Sequence, residues 1–184
     1  QKGLLSAKAT ARLVRARASR TGEVYLLRGL MDIFSRGMDV MGAKLNRAGV
    51  YAMVTNHSNW EEIGRDIVRR SKTKDVSYPI VIMGHSLGGN DAPKLANYLG
   101  RRGIKVSYVV TFDPTRRGYF GKNVGRVVNF YLTHDDDNRL YKSAGFTGTL
   151  QNISMDGKDG ITHTSIEKNS RIQNDVIGRI MSMT

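Results

Sequence analysis

Apolar positions along the chain fall into two rhythms that alternate with each other. Short runs built largely from β-branched and aromatic residues occur at Glu23–Leu27 (EVYLL), Val50–Thr55 (VYAMVT), Ile80–Met83, Lys105–Phe112 (KVSYVVTF) and Arg126–Thr133 (RVVNFYLT), with a weaker one around Leu150–Met155. Runs of this length and make-up predict strands. Between them the spacing changes to three and four. Phe34, Met38, Met41 and Leu45 form one such stripe, stopped by Gly49. Ile63, Ile67 and Val68 form another within Glu61–Arg70, which has acidic residues first and basic ones last, as a helix dipole favours. Leu95, Ala96, Tyr98 and Leu99 follow within Asn90–Gly100, and Ile172, Val176, Ile177 and Ile180 close the chain. Thr164–Glu167 has the T-x-x-E form of a capping box for this last helix. Pro93 falls inside the third helix, where a missing N–H should kink or delay the first turns. Strands alternating with helices predict an α/β fold, with a mostly parallel central sheet of about six strands and helices on both faces.

A chain of 184 residues is long enough for one well-packed domain. We place that domain at residues 23–184 and a basic N-terminal helix or arm at residues 1–22. In that arm Lys2, Lys8, Arg12, Arg15, Arg17 and Arg20 stand among alanines, with Leu4, Leu5, Ala9, Leu13 and Ala16 at helical spacing. Such a segment either packs on the domain or lies on an anionic membrane surface. No stretch approaches the roughly 20 apolar residues of a membrane-spanning helix, so a soluble protein is expected. A chain that starts at Gln1 rather than Met fits either the loss of an N-terminal signal or a truncation, which leaves both cytoplasm and periplasm or exterior open. The absence of cysteine excludes disulfides and thiolate metal sites. Lys and Arg outnumber Asp and Glu by 29 to 16, a formal +13. The cations are scattered and lack the interleaved aromatics that stack on bases, so no specific nucleic-acid partner is expected.

One stretch carries chemistry. The strand Ile80–Met83 runs directly into Gly84-His85-Ser86-Leu87-Gly88-Gly89, a G-x-S-x-G motif between a strand and a helix. A serine on so sharp a turn needs glycines two before and two after it, so that strand and helix backbones can approach. Its hydroxyl is then presented at the sheet edge, beside the N–H of the following residue. In these residues the chain resembles the α/β-hydrolase superfamily, and GHSLGG is similar to the form found in small bacterial lipases, esterases and thioesterases. The resemblance spans roughly residue 23 to the end and implies a compact α/β-hydrolase fold. No insertion is long enough for a large lid.

The resemblance also implies the order nucleophile, acid, base. Ser86, Asp113 and His163 satisfy it, each falling at a strand end or in a loop. Asp113 follows its strand in TFDPT, similar to the strand-end DP of pancreatic-type lipases; Asp135, one strand later in the run Asp135–Asp137, is the runner-up. His163 lies between the last strand and the last helix. His85 belongs to the motif and points away from the hydroxyl, His57 precedes the nucleophile, and His134 stands in an acidic run. The oxyanion donors implied are the N–H of Leu87 and that of Leu30 or Met31, in the loop after the first strand. His57 and Trp60, at the carboxyl end of the second strand, are weaker candidates for a substrate pocket. The expected function is a serine hydrolase that cleaves a carboxylic ester or thioester of a small or lipid-like acyl substrate, with no cofactor and no metal ion. The alternative is a non-catalytic binding or adaptor protein that keeps the scaffold and its basic surface.

Overall fold

The computed structural model describes residues 15, 18–30, 35–158 and 160–184. Along the chain these form β1 (Glu23–Arg28), α1 (Arg36–Arg47), β2 (Tyr51–Asn56), α2 (Trp60–Ser71), β3 (Ile80–His85) and α3 (Leu87–Gly100). They continue with β4 (Val106–Phe112), β5 (Gly118–Phe120), β6 (Val124–Tyr131), β7 (Leu140–Lys142), β8 (Thr149–Ser154) and α4 (Ser170–Met183). Six strands make one sheet in the order β2-β1-β3-β4-β6-β8, and every neighbouring pair is parallel.

A parallel sheet has to be covered on both faces, and the alternation within each strand divides the apolar residues accordingly. Val24, Leu26, Val81, Met83 and Val110 face Met38, Met41 and Leu45 of α1 and Ile172, Val176 and Ile180 of α4. Tyr25, Leu27, Ile82 and Val109 face Ile63 and Ile67 of α2 and Leu95, Ala96 and Leu99 of α3. Burial on both sides explains why β3, at the middle of the sheet, is buried at all six positions. The chain leaves β1 for β2 on one side and returns to β3 on the other. The switch point therefore lies between the carboxyl ends of β1 and β3, where open α/β sheets form their ligand crevice.

Two local expectations are corrected. Helix α3 starts at Leu87, directly after Ser86, and runs through Pro93 to Gly100 without interruption. The proline is buried against Gly118, where a Cβ would lie 2.9 Å from its Cγ. Thr164–Glu167 is not a capping box. Ile166–Lys168 form a short 3-10 turn, and the cap of α4 is Asn169, whose side chain accepts the Ile172 N–H at 3.0 Å. Glu167 instead turns inward and accepts the Gly37 N–H at 2.6 Å, at the start of α1. The stretch between β4 and β8 also holds a second, two-stranded parallel sheet of β5 and β7, three residues each and too short to leave a periodic pattern.

The basic arm expected over residues 1–22 falls mainly outside the described residues. Of its cations, Arg15 lies over the Tyr51 ring, 5.6 Å from the centroid. Among the described residues no helix is long and apolar enough to cross a membrane.

Candidate active site

Ser86 occupies the turn between β3 and α3 with φ 58° and ψ −119°, a conformation that costs a non-glycine residue on the order of 1–3 kcal/mol. The surroundings enforce it. A Cβ on Gly84 would stand 2.1 Å from the Gly88 carbonyl oxygen, and one on Gly88 would stand 2.1 Å from that of Leu27. Only glycine fits at either place, so β3, α3 and β1 close tightly around the serine. Its N–H is held by the Phe112 carbonyl at 3.0 Å. As first residue of α3, Leu87 carries one of the N–H groups that a helix start leaves unpaired.

Two loops bring further groups to this turn. The Ser86 hydroxyl is 3.0 Å from His163 Nε2, and His163 Nδ1 is 2.6 Å from Asp113 Oδ2. Asp113 follows β4 with φ 47° and is fully buried. Burial alone would push its carboxyl up, but the hydrogen bonds from His163, from the Leu132 N–H and from His134 outweigh it and hold the carboxyl below the usual range. With Asp113 ionised, His163 donates Nδ1–H to it, which leaves Nε2 free to accept the Ser86 hydroxyl proton. Asp135, by contrast, is exposed and makes no hydrogen bond or ion pair among the described residues.

Two partners of Asp113 were not foreseen. His134 Nε2 lies 3.1 and 3.0 Å from its two oxygens. Asn138 Nδ2 lies 2.9 Å from Oδ1 and within reach of the Pro114 and Leu132 carbonyls. Both come from the loop after β6, which neighbours β4 in the sheet. The run from His134 to Asn138 reads as an acidic run, and Asp135 and Asp136 do face solvent. The signal lay in the polar residues at its two ends, which strand adjacency turns toward Asp113.

His85 lies behind the hydroxyl, fully buried. Its Nδ1 is 2.7 Å from the Ser35 hydroxyl and its Nε2 is 2.7 Å from the His163 carbonyl. Burial lowers its pKa to about 4, so it stays neutral, donating Nε2–H to that carbonyl and accepting from Ser35. The Ser35 hydroxyl in turn accepts the Gly29 N–H at 2.8 Å. Gly29 is thereby fixed beside the turn, where a Cβ on it would be 3.0 Å from that of Ser86. Its N–H is committed, so a donor from this loop has to come from the residues after it. Leu30 follows, 60% exposed; Met31 lies outside the described residues.

The two weaker pocket candidates part company. His57 Nδ1 is 2.5 Å from Asp91 Oδ2, and that carboxylate also pairs with Lys94 at 2.9 Å. Trp60 packs edge-on against Tyr98 and borders a surface cleft with Lys94, Arg116 and Tyr119 along α3.

No protein-family model matches the chain, and no curated protein does. Solved structures do. Est1E from Butyrivibrio proteoclasticus is 12% identical with a TM-score of 0.54, over 89% of this chain and 88% of that one. RedJ, solved with a polyethylene glycol molecule in its active site, is 10% identical with a TM-score of 0.54, over 89% and 91%. YbtT, a type II thioesterase from the yersiniabactin biosynthetic pathway, is 10% identical with a TM-score of 0.52, over 91% and 96%. At such identities the likeness is one of fold, and that fold is of the α/β-hydrolase type.

Proposed function

We propose that the protein is a serine hydrolase that cleaves carboxylic esters or thioesters through an acyl-enzyme on Ser86. The observation that carries this reading is the unbroken hydrogen-bonded series Ser86–His163–Asp113 at a strained strand-to-helix turn. A serine hydroxyl is a poor nucleophile until a base takes its proton, and the base needs an orienting anion; both are in hydrogen-bond contact.

Ser86 Oγ attacks the substrate carbonyl carbon as its proton passes to His163 Nε2. Asp113 stays ionised and stabilises the imidazolium. The carbonyl π pair moves onto oxygen, where the Leu87 N–H and a second N–H from Leu30 or Met31 receive it. Collapse of the tetrahedral species breaks the bond to the alcohol or thiol, which leaves with the proton from His163. Water then adds to the acyl-enzyme with its proton going to His163, and release of the acid returns that proton to Ser86. The thioesterase activity of YbtT agrees with this class of reaction and supplies no residue role.

The test is a panel of p-nitrophenyl esters and acyl thioesters of increasing chain length, hydrolysed by wild type and by Ser86→Ala. Turnover that depends on Ser86 supports the reading. Absence of Ser86-dependent turnover across the panel contradicts it and favours a binding or adaptor protein on the same scaffold.

A further inference from the structure

The acid of the site is shared. Asp113 receives His163 on one side and His134 on the other, and the two imidazoles meet edge to face with centroids 6.2 Å apart. We propose that Asp113, His134 and His163 form an inhibitory binding site for a borderline divalent cation of the zinc class.

One carboxylate oxygen of Asp113, one ring nitrogen of His134 and one of His163 all lie within 4.8 Å of one another. Tetrahedral zinc with ligands at about 2.0–2.2 Å holds them roughly 3.3 Å apart. The 2.6 Å between His163 Nδ1 and Asp113 Oδ2 has to open by several tenths of an ångström, and the 3.0 Å between His134 Nε2 and the same oxygen by less. Room for this exists on the imidazole side, since the His134 and His163 side chains are 41% and 37% exposed. The carboxylate is the fixed part. Its Oδ1 is held at 2.9 Å by both the Leu132 N–H and Asn138 Nδ2, which leaves Oδ2 as the ligand.

Two imidazoles and one carboxylate, with solvent at the fourth position, suit zinc. Magnesium and calcium ask for more oxygen ligands than are present here. Each imidazole makes way by transferring its proton between its own nitrogens: His163 from Nδ1 to Nε2, His134 from Nε2 to Nδ1. No proton is lost in either exchange. The consequence for the serine rests on the hydrolase reading above. With Nδ1 on the metal and the proton on Nε2, His163 has no lone pair for the Ser86 hydroxyl. Binding itself does not depend on that reading.

The experiment titrates Zn2+ alone into the full chain by calorimetry and follows fluorophosphonate labelling of the same samples. The expected result is one ion per chain and labelling slowed at least tenfold at saturation. EDTA restores the rate, and an equal concentration of Mg2+ has no effect. His134→Ala and His134→Gln, each checked for folding by circular dichroism and compared with its own metal-free rate, should weaken both zinc binding and protection at least tenfold. Zinc that does not bind, or that binds and protects equally well in either folded variant, overturns the inference. A wild type that binds zinc through His134 but is never labelled, with or without metal, retains the site and removes the hydrolase reading instead.

Discussion

Asp113 and Glu167 are both fully buried, and they are built in opposite ways. Asp113 is met by His163, His134, Asn138 and the Leu132 N–H, and its carboxyl is held below the usual range. Glu167 receives a single donor, the Gly37 N–H on Oε2, while its Oε1 is buried without a partner among the described residues. Burial raises its pKa from 4.5 to about 7, and the Gly37 N–H, Lys168 and His163 offset this only in part. Depth is the same, so the number of donors decides the charge. Asp113 is an anion at neutral pH and can orient a base. Glu167 is poised near neutrality and serves as an internal clamp between α1 and the segment after His163.

The largest effect should come from removing the anion of the first site. Asp113→Asn keeps the shape but places an amide against His163 Nδ1, favouring the wrong tautomer. kcat/KM on an activated ester should fall by about 10³–10⁴-fold, with KM changing little. Next is the scaffold that supplies the donors. Asn138→Ala leaves the Asp113 oxygen and two carbonyls short of a donor, and should cost on the order of 2–3 kcal/mol by urea unfolding.

The second carboxylate gives an effect of opposite sign with pH. The native state holds a proton on Glu167 more tightly than the unfolded chain does. Its contribution is therefore fully present below pH 4.5 and is lost as pH rises through about 7. Glu167→Gln keeps an acceptor for Gly37 and removes the titration. Measured by unfolding at pH 5 and pH 8, the variant should gain on the order of 2 kcal/mol relative to wild type at the higher pH. A wild-type stability that does not decline more steeply than that of the variant would remove the contrast. Smallest of all, Asp135→Asn should leave both activity and stability within experimental scatter, because that carboxylate faces solvent.

The contrast also separates what the sequence could say from what it could not. Strand and helix positions were legible because the sheet is parallel and buried on both sides, so its strands read as apolar runs and its helices as stripes. The strained turn was legible because Gly84 and Gly88 are dictated by backbone contacts that only glycine survives. Asp113 and His163 were candidates as strand-end and loop residues in the order the resemblance implies, with Asp135 beside Asp113 as an alternative that placement alone did not exclude. His134 and Asn138 were not, because their partnership with Asp113 depends on β6 lying beside β4, a long-range pairing without a local pattern. Glu167 was misread for the related reason that a T-x-x-E spacing is local, whereas its actual partner, Gly37, is 130 residues away.

The proposed chemistry depends above all on Ser86 being the activated nucleophile. Intact-protein mass after incubation with a fluorophosphonate, followed by peptide mapping, addresses it directly. The expected result is one adduct per chain, located on Ser86, absent in Ser86→Ala and formed far more slowly in Asp113→Asn. An unmodified wild-type chain, or an adduct on another residue that persists in Ser86→Ala, would contradict it.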